Sequence, residues 1–286
     1  MTTTMNTVNQ IFDWSRFTAT LRKELVENKR GILFTVICIY GLLTLIMILG
    51  NLIAAHNPVT MQEMFAAKAP QIVVAMILTL VVCVSASMAF IGLKTKTSRA
   101  SYLTSPSSTF EKFLVNILIY VVGIFIAYFA CAQLADLTRI AVLWFFKSEN
   151  FLVHGPINFL TCLSDMASIY DEPELGLKGF DTMITVGLIA NAGLYLLGSI
   201  IWPRLSLLKT FAAVYAIEFA LFLIALPFFV LIDDTAAFAQ WFYNYMTGGY
   251  FTTSTIIFVI IQIVLYFGLA WYLFKRKDVI SLKWWK

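Results

Sequence analysis

Three polar residues stand out because everything around them is apolar. Asn191, Glu218 and Gln262 each fall near the middle of a long hydrophobic run, on three consecutive runs of the chain. If those runs cross a bilayer, the three side chains share one depth. An ionisable group at the bilayer midplane costs about 2.5–3.5 kcal/mol on insertion scales, so it must face protein or a water-filled cavity. Two kinds of chemistry suit such a group. It can form a substrate- or proton-sensitive site on a translocation path. It can also hydrogen-bond between helices, with Glu218 protonated. Both readings stay open at this point. Asp136 and Arg139, three residues apart on one helix face, read as an ion pair near a membrane surface.

Other chemistries find little to work with. There are two His, His56 and His154, and four Cys, at 38, 83, 131 and 162, with no CxxC spacing. No metal site, disulfide framework or cofactor is expected from them. No nucleophile–His–acid set and no HExxH is present, so no enzymatic chemistry is expected of this chain. The stretch Gly92–Ser98 superficially suggests a phosphate loop, but it lacks the glycine before the lysine and a strand–loop–helix setting.

The elements that must position these residues are membrane spans. The chain has 286 residues, is 60% hydrophobic and 13% charged, and has a mean hydropathy of +0.84. A soluble domain carries about 25% charge, so this composition belongs to an all-α polytopic membrane protein. About 20 apolar residues cross a hydrocarbon core. Six runs qualify, at 31–55, 71–93, 113–135, 180–202, 210–232 and 252–274. Ser85 and Ala89, like Ala127 and Cys131, have the small-xxx-small spacing of close helix packing.

Lysine and arginine give the orientation. Arg16, Arg22, Lys23, Lys29 and Arg30 precede the first run, and Lys94, Lys96, Arg99 and Lys112 separate the second from the third. Arg204 and Lys209 follow the fourth, and Lys275, Arg276, Lys277, Lys283 and Lys286 follow the sixth. The alternate connections hold only Lys68, Arg139, Lys147 and Lys178. The positive-inside rule therefore predicts a multi-pass arrangement with both termini in the cytoplasm. The net charge of +4 is explained by these loops, and no nucleic-acid partner is expected. The outer connection at 136–179 is long and acidic, with short interfacial helices expected in it. A basic tail occupies 275–286.

Residues 1–30 form the N-terminal segment. Within 10–30, Trp14, Phe17, Leu21 and Leu25 recur at steps of three and four, while Arg16, Lys23, Glu27 and Arg30 fall mostly off that line. This predicts an amphipathic helix lying in the membrane interface, with its cations toward anionic lipid. The connection at 94–112 predicts a turn at Ser105–Pro106 and a capping box of Ser108 with Glu111.

At this connection the sequence resembles a family. Tyr102-Leu-Thr-Ser-Pro-Ser-Ser-Thr-Phe-Glu-Lys-Phe113 is similar to the "YLxLPxSxxEKF" element of exporter-class ABC transporter permeases (ABC type-2) of the Bacteroidetes. Leu196-Leu-Gly-Ser-Ile-Ile-Trp-Pro-Arg-Leu-Ser-Leu-Leu-Lys-Thr210 resembles their link between spans four and five. The segments 271–279 and 21–30 match more weakly. Thr104-Ser105-Pro106-Ser107 and Trp202-Pro203 depart from the family's usual residues.

The resemblance implies a fold and a role. Such permeases have an N-terminal elbow helix, six spans and a short coupling helix between spans two and three that sits in a groove of a separate cytoplasmic ATPase subunit. Two permease chains and two ATPases form the working unit. The coupling helix maps onto Thr95–Leu103, with Lys96, Ser98, Arg99, Tyr102 and Leu103 as the ATPase-coupling residues. Short outer helices before span six map onto Ala236–Met246. The resemblance also implies the inner membrane as its location. The expected function is ATP-driven export, with hydrolysis in the partner subunit. The alternative is a secondary transporter or a structural or regulatory membrane subunit that acts without an ATPase.

Overall fold

The computed structural model describes residues 12–55, 69–146, 180–230, 238, 240, 244–245 and 250–277. These residues form helices, and no strand occurs among them. The short helices expected at 236–246 and within the long connection fall wholly or mostly outside the described residues, as does the tail beyond 277. Six helices are long and apolar enough to cross a membrane: Lys29–Asn51, Val73–Leu93, Thr109–Phe145, Thr182–Ile201, Ser206–Pro227 and Phe251–Lys275. The chain is an all-α polytopic membrane protein. The end of the bundle shared by the N-terminal helix and the C-terminal end of span six is called the basic end below.

The N-terminal helix, Trp14–Glu27, begins where Asp13 accepts the backbone N–H groups of Ser15 and Arg16, and it stops at Asn28. Span one starts at once, at Lys29. Of the apolar stripe on the N-terminal helix, Phe17 is buried against the bundle, while Trp14 is 68% and Leu25 42% exposed. That division suits a helix lying at an interface, with one edge on protein and the other on lipid.

Span three runs further than the apolar run suggests. The helix Thr109–Ile117 passes through a π turn at Leu118–Gly123 and continues as Ile124–Phe146. The spanning stretch of 37 residues is roughly 55 Å long, well beyond a hydrocarbon core of about 30 Å. The start of the predicted loop at 136 is thus helical. Asp136 and Arg139 make this possible. Arg139 donates through Nε to Asp136 Oδ1 at 2.7 Å, and the two side chains are 0% and 2% exposed. The expected surface pair is a buried one.

A π turn leaves a carbonyl without its normal helical partner. Here Ser85 of span two donates its hydroxyl to the Tyr120 carbonyl at 2.6 Å. Its small side chain therefore does more than permit close packing. Further along the same contact, the Tyr128 hydroxyl donates to the Val74 carbonyl.

The core lies between spans one, two, three, four and six. Leu43, Met47, Leu78, Val82, Tyr128, Ala132, Leu196, Ile200 and Phe274 are all essentially buried. Two glycines on span four set helix approach. A Cβ on Gly193 would lie 2.8 Å from the Phe267 ring of span six, and one on Gly198 would lie 1.9 Å from Thr210 Oγ1 of span five. Close backbone approach at small residues is the usual way helices associate in lipid. Full burial on span five is confined to this end among the residues described. Ser206 and Thr210 are buried, but no residue from Phe211 to Pro227 is. The connection before it contains Leu205 at φ 57°, the described non-glycine residue in the left-handed region.

Candidate functional site

Two groups of residues carry the functional expectations, and the fold treats them differently. The first lies at the basic end. The expected coupling segment is a helix, Lys96–Thr104. Thr95 starts it by accepting the Ser98 N–H, and the Arg99 guanidinium donates to the Leu93 carbonyl at 3.1 Å. Lys96 and Ser98 are exposed. Arg99, Tyr102 and Leu103 are half-buried.

Tyr102 faces inward. Its ring packs edge-on against Phe274 of span six, with centroids 6.4 Å apart, and its hydroxyl accepts the Asn116 side-chain N–H at 2.6 Å. Burial pushes the phenol well above its ordinary pKa, and Glu24 adds to the effect. Tyr102 thus fastens the short helix to spans three and six, while Lys96 and Ser98 form its outward face. Near Arg99 lies Lys277, just past span six. Burial pushes the Lys277 ammonium below its ordinary range, and the neighbouring Arg99 charge does so further.

What holds this end together was not singled out from the sequence beyond its capping box. Ser108 accepts the Glu111 N–H at 3.1 Å, and Glu111 Oε2 accepts the Ser108 N–H at 2.8 Å, so the capping box is complete. The same carboxylate also reaches the N-terminal helix. Glu111 Oε1 accepts the Asp13 N–H at 2.9 Å and the Arg16 guanidinium at 3.1 Å. Lys112, 2% exposed, donates through Nζ to the carbonyls of Leu103 at 3.0 Å and Ser105 at 3.1 Å. A cation on the last carbonyls of a helix satisfies orphan acceptors and complements the dipole. Phe113 follows, packed against Trp271, Phe274 and Phe90. Glu111, Lys112 and Phe113 therefore join the N-terminal helix, the short helix and span six, in that order.

The second group is the intramembrane set. Asn191 and Gln262 are half-buried, and Glu218 is exposed. Among the described residues none of the three makes a side-chain hydrogen bond or ion pair. Spans four and six pack together, so Asn191 and Gln262 lie on neighbouring helices. Glu218 lies on the stretch of span five where nothing is buried. The three expected at one depth thus differ in burial, and none of their side chains hydrogen-bonds another. No group of three or more His, Cys, Asp or Glu that could hold a metal occurs among the described residues. Cys83 and Cys131 are buried free thiols.

Compared with known proteins, the chain matches no family model, no curated protein and no solved structure.

Proposed function

We infer that this chain is the membrane-spanning permease subunit of an ATP-driven export system. A separate cytoplasmic ATPase docks on the short helix Lys96–Thr104, and both termini lie in the cytoplasm of a cell whose inner membrane holds the complex. One observation carries this reading. The short helix is fixed to the N-terminal helix through Glu111 and Lys112 and to span six through Tyr102, yet it keeps Lys96 and Ser98 outward. A push on that outward face is delivered to spans three and six together, which is what a coupling element has to do. Differential binding of the ATPase to two arrangements of the permease supplies the driving force. In this reading no catalytic residue and no cofactor belongs to this chain. A second permease chain covers the exposed length of span five, and Glu218 then faces the path between the two chains rather than lipid.

The test is affinity purification from native membranes in mild detergent, with mass spectrometry of what co-elutes. A stoichiometric P-loop ATPase is expected with the unaltered chain. It should be lost when Lys96→Glu and Ser98→Glu are combined, with membrane abundance unchanged. A preparation free of any ATPase, or one in which the double variant retains it fully, overturns the assignment.

A further inference from the structure

A cleft of roughly 330 Å³ lies among the N-terminal helix, the end of span two, the short helix and the start of span three. Glu24 lines it from the N-terminal helix, Ser101 and Tyr102 from the short helix, and Tyr120 from span three. Its volume is at the lower end of the range for small-ligand sites. It does not depend on the ATPase reading, because each of its walls is part of the single chain.

The electrostatics of the cleft favour a cation. Glu24 receives one side-chain hydrogen bond, from Asn28 Nδ2 at 3.3 Å. Lys23 pairs with Glu27 at 3.8 Å instead, and no cation among the described residues lies within ion-pair distance of Glu24. Glu24 is half-buried, and burial raises its carboxyl above the ordinary range, with Glu27 adding and Lys23 and Asn28 opposing. Two carboxylates against one lysine exclude a purely anionic ligand. The available partners are oxygens: the Glu24 carboxylate and the Tyr120 and Ser101 hydroxyls, which make no side-chain hydrogen bond to a described residue. Oxygen acceptors suit a primary ammonium with three N–H donors, whereas a trimethylammonium offers none.

The position of the cleft identifies the source of that ammonium. It is bounded by the end of the N-terminal helix just before span one, the end of span two and the start of span three, which all lie where a bilayer has its headgroups. We propose that the cleft binds the headgroup of an aminophospholipid, with the ammonium on Glu24, Tyr120 and Ser101 and the phosphate on Lys23. The bound lipid then bridges the N-terminal helix and the short helix, so headgroup composition acts on the element that carries Lys96 and Ser98.

Native mass spectrometry of the full purified chain tests this directly. Phosphatidylethanolamine, phosphatidylcholine and phosphatidylglycerol with identical acyl chains are titrated in turn. One charge-assisted hydrogen bond corresponds to about a tenfold preference. Phosphatidylethanolamine is therefore expected to bind about tenfold more tightly than the other two. Glu24→Gln should abolish the difference, and Glu24→Asp should keep most of it. Equal binding of the three lipids by the unaltered chain overturns the proposal, even if the Gln variant fails to fold. So does an undiminished preference in folded Glu24→Gln. Saturation by soluble ethanolamine with no lipid preference overturns the lipid source and leaves a free amine as the ligand.

Discussion

Arg16 and Glu111 meet at 3.1 Å across 95 positions of sequence. The carboxylate is 0% exposed and the guanidinium side chain 42%, so the two ends of this contact live in different surroundings. Glu111 is in effect a buried acceptor for three donors from two elements: Asp13, Arg16 and its own cap residue Ser108. The charge of Arg16 is one contribution among these. The geometry makes the acceptor the essential partner and the arginine the replaceable one.

That asymmetry is measurable. Glu111→Gln puts an amide N–H against the N–H of Asp13 or Ser108, leaving a buried donor unsatisfied. The expected cost is about 1–3 kcal/mol in thermal or denaturant unfolding in micelles. Arg16→Gln removes an exposed charge and should cost under about 1 kcal/mol. Equal losses from the two variants would show that the ion pair, and not backbone satisfaction, holds the N-terminal helix.

Some of this end of the molecule was legible in the sequence and some was not, for physical reasons. The capping box is local, since Ser108 and Glu111 are three residues apart, and spacing alone reveals it. The long-range use of the same carboxylate is invisible, because nothing in residues 10–30 marks Asp13 as the position whose N–H points at it. The short helix was expected at Thr95–Leu103 from the family resemblance alone, and a nine-residue helix has too few apolar positions to say which way Tyr102 turns. The spans repeat the lesson at larger scale. Their midpoints place Asn191, Glu218 and Gln262 at one depth. Helices apolar on every side carry no stripe to fix their rotation, so the exposure of Glu218 could not be read. The extra length of span three was hidden by Asp136 and Arg139, which read as surface charges until their mutual burial is seen.

The buried pair on span three gives a second prediction. Removing one partner of a buried ion pair costs about 3–5 kcal/mol, because the remaining charge is left uncompensated. Asp136→Ala should therefore abolish or severely reduce the folded fraction in micelles. Asp136→Leu combined with Arg139→Met keeps the volume without the charges and should be much milder. If the double variant is as damaging as the single one, the two residues are needed individually by groups other than each other.

Glu218 can be assigned to the fold or to the assembly by one substitution. Its side chain makes no hydrogen bond or ion pair to a described residue, so Glu218→Leu should leave unfolding of the single chain in micelles within about 0.5 kcal/mol. The effect is expected in association instead. Native mass spectrometry or light scattering should show fewer chains per complex, because the group that costs most in lipid no longer needs covering. A large fall in the stability of the single chain, with association intact, would make Glu218 an internal helix-bonding group.

The sharpest steric prediction concerns Gly198. A methyl group there would lie 1.9 Å from Thr210 Oγ1 and 2.9 Å from Thr210 Cβ, so no rotamer change of Thr210 removes both overlaps. Spans four and five must separate, and the cost should reach the upper part of the 1–3 kcal/mol range typical of about one inserted methylene in a packed contact. Thr210→Ala by itself should be nearly neutral, because Thr210 Oγ1 is buried without a hydrogen-bond partner among the described residues and its loss strands no donor there. Adding Thr210→Ala to Gly198→Ala removes the first overlap but not the second, so rescue should be partial. Thr210→Gly removes both and should restore helix contact more fully, at about the 1 kcal/mol propensity cost of glycine in a helix. The four variants, compared by cysteine crosslinking between spans four and five at the Gly198 end, separate steric contact from general helix weakening. The same crosslinking yield in all four would mean that span five is held by something other than this crossing.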